Sequence, residues 1–176
     1  MRWFDDAAYE AENQAWKAIM DAYYAYARSI APSLPPDLAR LALAPELNLH
    51  DAHFDHVEVD LSESTVTIAV TVAGGDRRQT LNFDGATIVP DNLQRLGHAV
   101  RAEFRPQHRG ERRGVTVILA QEVDVLPDGR YTLRLRLWPF HEFAVEFADF
   151  TLGEEPVTEP GRTRAGSFVV HGTRDG

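Results

Sequence analysis

The hydrophobic repeat of this chain changes its period once, near residue 52. Before that point, apolar residues return every three or four positions, which is the spacing of one face of an α-helix. After it, apolar and polar residues alternate, as they do on the two faces of a β-strand. A helix followed by a run of strands, without regular alternation of the two, predicts an α+β fold rather than a doubly wound parallel sheet.

A long amphipathic helix is predicted for residues 5–31, with Asp5 capping its first turn and Pro32 ending it. Phe4 and Tyr9 are spaced to form a hydrophobic staple around the cap. We expect the apolar face of this helix to pack against the sheet; the alternative is that it lines a ligand pocket. This face consists of Tyr9, Trp16, Met20, Tyr23, Ala27 and Ile30.

About seven strands are predicted to follow, as an antiparallel meander. Val66, Ile68 and Val70 alternate with threonines and an alanine, which indicates a strand with one apolar face. The sequence Pro127-Asp128-Gly129 predicts the turn of a hairpin in the second half of the chain. The last strand of the meander is expected to end near residue 152, after a bulge near Ala148.

The stretch 90–105 is ambiguous, because its apolar residues fit both periods. We interpret 98–105 as a strand preceded by a single helical turn, since Gly97 interrupts the pattern. A helix through 91–104 is the alternative, because Leu93, Leu96 and Val100 also have helical spacing.

Residues 1–152 are expected to form a single domain, and 153–176 a mobile C-terminal tail. The tail is rich in glycine, proline, threonine, glutamate and arginine, a composition that provides little apolar surface to bury. Residues 167–170 are the exception, because their β-branched and aromatic side chains could add a short edge strand.

Composition narrows the compartment and the class of partner. The chain has no cysteine, which excludes disulfides and thiol chemistry and fits a reducing compartment. It has no apolar run of the ~20 residues needed to cross a bilayer, and its first residues do not resemble a secretory signal. The net charge of −9 disfavours nucleic-acid binding. We therefore expect a cytoplasmic protein that binds neither nucleic acid nor membranes, of undetermined oligomeric state.

The densest group of metal-ligand side chains lies just before the first strand and comprises His50, Asp51, His53, Asp55 and His56. His53-Phe54-Asp55-His56 matches the end of the His-x-His-x-Asp-His motif of metallo-β-lactamase-like hydrolases, but Asp51 stands where that motif has its first histidine. In an extended chain Asp51, His53 and Asp55 would share one face and His56 the other. The group therefore predicts a divalent-metal site; the alternative is a polar outer strand face.

A second candidate site is the basic stretch around Arg105, Arg109, Arg112 and Arg113. Guanidinium groups clustered on a loop suit an acidic protein partner or a phosphate. The alternative is an ordinary solvated loop. The sequence contains no Gly-x-Ser-x-Gly, phosphate-binding glycine loop or His-Glu-x-x-His motif, so we predict no catalytic residues and no cofactor other than the possible metal.

Three short motifs carry a resemblance to a group of proteins: Met1-Arg2-Trp3-Phe4, Leu49-His50-Asp51-Ala52 and Leu81-Asn82-Phe83-Asp84-Gly85-Ala86. With the meander between them, they resemble uncharacterised small bacterial proteins, some of which are similar to immunity proteins of polymorphic-toxin systems. The resemblance covers roughly residues 1–90 and, loosely, 142–152. It implies a partner-binding role and no catalytic residues. Our leading hypothesis is a non-enzymatic, immunity-type protein that binds another protein; a metal-binding protein or metal-dependent hydrolase is the alternative.

Overall fold

The predicted α+β architecture is confirmed: a long helix and a mostly antiparallel sheet form the fold. A computed structural model describes residues 2–4, 13–72, 75–104, 114–138, 142–157 and 165–172. The proposed cap at Asp5, the staple through Tyr9 and the basic loop of Arg105, Arg109, Arg112 and Arg113 lie outside them.

Three α-helices are described. Helix α1 spans Asn13–Ile30, α2 spans Pro36–Leu43 and α3 spans Pro90–Arg101. A single turn of 3-10 helix, Ala31–Ser33, follows α1 directly and contains Pro32, which has no N–H to continue the α-helical ladder. The predicted end of the long helix is therefore confirmed.

The strands are β1 to β10 in chain order. They span His53–Asp60, Thr65–Thr71, Arg77–Asp84, Glu103–Phe104, Gly114–Val115, Val117–Val125, Tyr131–Trp138, Glu142–Phe147, Asp149–Pro156 and Ser167–His171. The short strands β4 and β5 pair only with each other, and the other eight form one sheet.

The large sheet is curved until its two ends meet. Its strand order is β8-β7-β6-β1-β2-β3-β9, and the terminal strands β8 and β9 are consecutive in the chain, separated only by Ala148. At this point the chain changes its pairing partner from β7 to β3, and the Ala148 N–H donates to the Asp84 carbonyl at 2.9 Å. The sequence predicted a bulge near Ala148; instead, the chain passes there from one terminal strand of the sheet to the other.

The apolar core fills the inside of this curved sheet. Phe83 and Phe147 meet edge to face with ring centroids 5.0 Å apart, and Phe150 lies 5.3 Å from Phe83. Helix α1 covers one side through the predicted face: Tyr23 and Ala27 are buried, and Trp16 and Met20 are partly buried.

The beginning of the chain is fixed to β6 by one buried carboxylate. Glu122 is only 1% exposed and accepts hydrogen bonds from the backbone N–H groups of Arg2 at 2.9 Å, Trp3 at 2.6 Å and Phe4 at 2.8 Å. Arg134 on β7 lies 3.8 Å away and supplies the compensating charge. The buried carboxylate therefore has both hydrogen-bond donors and a counter-ion, which is what makes a buried charge tolerable.

The stretch 90–105 differs from our preferred interpretation. It forms the helix α3 as far as Arg101, so the strand at 98–105 is wrong except for Glu103–Phe104, and the helical alternative is closer. The physical reason lies in Gly97, whose weak helix propensity misled the prediction. A Cβ atom at this position would lie 2.8 Å from the ring of Phe168, so the glycine lets an aromatic ring lie against the helix.

The sequence predicted that the domain ends at residue 152. The sheet extends beyond this residue. Strand β9 continues to Pro156 along β3, and β10 pairs in parallel with β1, from His56 opposite Ser167 to Asp60 opposite His171. At least these two stretches of the predicted tail therefore belong to the folded domain, and the suggestion of a short strand at 167–170 is confirmed. None of the described helices is both long and apolar enough to cross a membrane.

Candidate functional site

The histidine-rich group is divided between a turn and a strand. His50 and Asp51 lie in an exposed turn before β1, where Asp51 takes a positive φ of 61° and its carboxylate lies 3.3 Å from His50 Nδ1. His53, Asp55 and His56 lie on β1. The turn and the strand therefore do not present the five side chains as one surface.

A β-bulge at Asp55 corrects the predicted division of faces. Phe54 pairs with Val70 on β2, and His56 pairs with the next residue, Ala69, so Asp55 is an extra residue in β1. Phe54 and Val57 are buried, whereas Asp55 and His56 are not. The bulge thus places His56 on the outer face, although strict alternation predicted it to share the face of the buried Phe54.

Asp55 is occupied by cross-strand hydrogen bonds. Its Oδ2 atom accepts from Thr71 Oγ1 at 2.7 Å and from Arg78 Nε at 3.0 Å, and Arg78 also contacts Glu155 on β9 at 3.1 Å. His53 Nε2 lies 3.8 Å from the other oxygen, Oδ1. This carboxylate ties together three neighbouring strands, which is a structural role.

His56 joins β1 to β10. Its Nδ1 lies 2.6 Å from Ser167 Oγ, and its Nε2 lies 3.4 Å from one oxygen of Glu58. The other oxygen of Glu58 lies 2.9 Å from His171 Nε2. These groups form a chain of polar contacts across an exposed strand pair rather than a pocket around a reacting atom.

Among the described residues, no group of three or more histidine, aspartate or glutamate side chains is placed to hold a metal ion. The metal site at His50, Asp51, His53, Asp55 and His56 remains a prediction. The same holds for the partner site at Arg105, Arg109, Arg112 and Arg113.

Burial lowers the pKa of His53 below the ordinary histidine value, while nearby Asp55 opposes the shift. Because the unfolded chain then takes up the proton at higher pH than the folded one, stability should fall as pH drops from about 7 towards 5. The His53→Gln variant should lack this pH-dependent loss of stability. The difference in urea midpoint between wild type and His53→Gln should therefore change between about pH 7 and pH 5. His50→Gln, altered at an exposed histidine, serves as the control. Parallel pH curves for wild type and His53→Gln would refute the prediction.

The pocket between helix and sheet that the sequence offered as an alternative is present but narrow. It encloses about 40 Å³ and is lined by Trp16 and Tyr23 among others. Ligand sites usually reach several hundred Å³. The aromatic face of α1 is therefore used for packing.

A larger concave surface, which the sequence analysis missed, lies between α3 and β10. We name it the α3–β10 groove; it has a volume of about 490 Å³. Its apolar lining consists of Pro90, Leu93, Gly97, Phe168 and Val170, and its ionisable lining groups are His98 and Arg101. The signal that could have revealed it was the pair Phe168 and Val170, two alternate apolar residues in a polar segment.

Hydrogen bonds hold β10 against α3 at one end of the groove. The Gly166 N–H donates to the Val100 carbonyl at 2.8 Å, and Arg101 Nη2 donates to the Phe168 carbonyl at 2.6 Å. The Arg101 guanidinium also lies 5.1 Å from the centre of the Phe168 ring. These contacts orient β10 so that Phe168 faces the helix.

The outer edge of β10 has no strand partner among the described residues. The His171 carbonyl accepts a hydrogen bond from Leu61 N–H, so it points towards β1, and the Phe168 carbonyl points away to Arg101. Because backbone groups alternate in direction along a strand, Val170 also directs its N–H and carbonyl away from β1. Its side chain is 41% exposed, and Val89, just before α3, is 61% exposed.

A second groove, of about 680 Å³, lies on the other flank of α3. Its lining combines the apolar Leu137 and Phe143 with charged groups of both signs, including Asp91, Arg95 and Glu142. Together the two grooves leave both flanks of α3 accessible.

Comparisons with protein families, curated proteins and solved structures found no match to this chain. The fold and these surfaces define it as an α+β domain in which, among the residues that the structure describes, one strand edge beside a helix has no strand partner.

Proposed function

We propose that this chain is a non-enzymatic, immunity-type protein that binds another protein through the α3–β10 groove. The observation that carries the proposal is the outer edge of β10 at Val170, which no other described strand pairs with and which borders an apolar groove. Soluble domains usually cover or charge such edges, because an exposed edge pairs readily with another chain. The β10 edge at Val170, which no other described strand covers, is therefore suited to a partner.

The composition and the resemblance support the same function. The chain lacks the sequence motifs of the common catalytic classes. The resemblance to uncharacterised small bacterial proteins, some of which are similar to immunity proteins, implies partner binding. The outer-face histidines contact neighbouring side chains, as His56 does with Ser167 and Glu58, rather than lining either groove beside α3.

Photo-crosslinking in living cells tests the proposal. With p-benzoylphenylalanine in place of Val170, irradiation should give a crosslinked species containing one other protein. The matched control places the same amino acid at Thr151, an exposed position on β9. The captured protein, once purified, should bind the wild-type chain in calorimetry. No adduct at Val170, or equal adducts at both positions, would contradict the proposal.

A further inference from the structure

We propose that the partner contributes an extended acidic segment, which adds as a further strand to the edge of β10 and lies in the α3–β10 groove. The proposal rests on the proposed function and specifies how the partner is recognised. In strand addition, backbone hydrogen bonds supply affinity, and pockets for alternate side chains supply specificity.

The backbone part of this recognition is present at Val170. Its N–H and carbonyl both point away from β1, as the directions of the Phe168 and His171 carbonyls establish. An incoming strand can therefore accept a hydrogen bond from the Val170 N–H and donate one to the Val170 carbonyl. The Phe168 carbonyl, by contrast, already accepts from Arg101, so strand addition is centred on Val170.

The side-chain part is the apolar lining beside that edge. Successive side chains of a strand point to opposite faces, so every second side chain of an added segment would face α3. There it would meet Leu93 and Pro90 on the helix and Val170 on the strand. The groove therefore favours apolar residues at alternate positions of the segment.

Charge selects an acidic segment. Although the chain carries a net charge of −9, the ionisable groups that line this groove are His98 and Arg101. Arg101 is exposed, and its guanidinium has five N–H donors, of which the bond from Nη2 to Phe168 uses one. A carboxylate on the segment could accept from the remaining donors. Glu58 on β1 contacts His171, which lies on the other face of β10.

The charge of the groove also favours a segment of a different protein over a second copy of this chain. Pairing of two β10 edges would bring together two chains of net charge −9, and the β10 of a second copy, Ser167–His171, has no carboxylate side chain to offer Arg101. An acidic segment of another protein would supply a carboxylate to Arg101, and pairing with a second copy through β10 would not.

The first test is a selection of random octapeptides displayed on phage against the full chain. The enriched peptides should combine an acidic residue with apolar residues at alternate positions.

Val170→Pro removes the outward N–H, which β1 does not use, and should weaken binding of the best peptide about tenfold or more. Val170→Thr keeps the N–H and should bind within about threefold of wild type. Arg101→Gln should weaken the acidic peptide about tenfold and leave its neutral amide analogue unchanged.

A peptide modification covers the case in which Val170→Pro does not fold. The best peptide is made with N-methyl groups on alternate amides, which block strand pairing on one edge. Methylation of either the odd-numbered or the even-numbered amides should abolish binding, and methylation of the other set should not. Strand addition is overturned if no peptide is enriched, if neither pattern matters, or if Val170→Pro binds as wild type does. Sedimentation showing a dimer that Val170→Pro dissociates would favour self-pairing instead. If crosslinking at Val170 captures a partner while these peptide tests fail, protein binding stands and strand addition does not.

Discussion

Glu122→Ala is expected to destabilise the fold by about 2–4 kcal/mol, because it removes the single acceptor of three backbone N–H groups. It also removes one of the acidic neighbours of Arg134 and leaves Asp124 at 3.7 Å. The size of the loss is limited by the free energy of releasing Arg2–Phe4 from the domain, since the freed N–H groups can then bind water.

Urea unfolding and amide exchange measure this effect. The melting temperature should fall by roughly 5–15 °C for a chain of this length, and the amides of Trp3 and Phe4 should exchange faster. Glu122→Gln should lie between wild type and Glu122→Ala, because it keeps one acceptor oxygen and loses the charge. Glu63→Ala makes the same charge change in an exposed turn and should be nearly neutral. If Glu122→Ala behaves like Glu63→Ala, the anchoring of the chain start is refuted.

Gly97→Ala is expected to destabilise the protein by about 1–3 kcal/mol, although glycine to alanine inside a helix normally stabilises by about 1 kcal/mol. The new Cβ would lie 2.8 Å and 2.9 Å from two atoms of the Phe168 ring, so ring or helix must move. Both movements loosen the contact that places β10 beside α3.

A double-mutant cycle isolates the cause. In a Phe168→Ala background the ring is absent, so Gly97→Ala should become stabilising, by about the normal helix-propensity gain. The sign of the effect therefore reverses between the two backgrounds. A stabilising effect of Gly97→Ala in the otherwise wild-type chain would show that the ring does not lie on the helix.

Sequence patterns were sufficient for elements whose residues obey one period. The face of α1 containing Tyr23 and Ala27 and the alternation of Val66, Ile68 and Val70 both led to the correct elements, because burial on one side is a local property. Helix α3 was only the alternative to our preferred interpretation, because Gly97 is explained by Phe168, 71 positions further along the chain. Local propensity contains no information about such a contact.

The candidate sites show the same limitation. The side of the strand on which His56 lies depends on a bulge at Asp55, which a regular alternation cannot reveal. The α3–β10 groove combines residues from two segments that we interpreted as strand and tail, so no single stretch of sequence indicates it. The roles of Arg105, Arg109, Arg112 and Arg113 and of a metal at the histidine group remain predictions.

The pairing of β1 with β10 determines when the domain can finish folding on the ribosome. His56 and Ser167 are 111 residues apart, so β1 leaves the exit tunnel long before its parallel partner is synthesised. Until then one edge of β1 is open over His56 to Asp60, and open edges pair with whatever strand is nearby. A nascent or truncated chain that ends before residue 167 should therefore depend on chaperones and aggregate more readily than the finished chain.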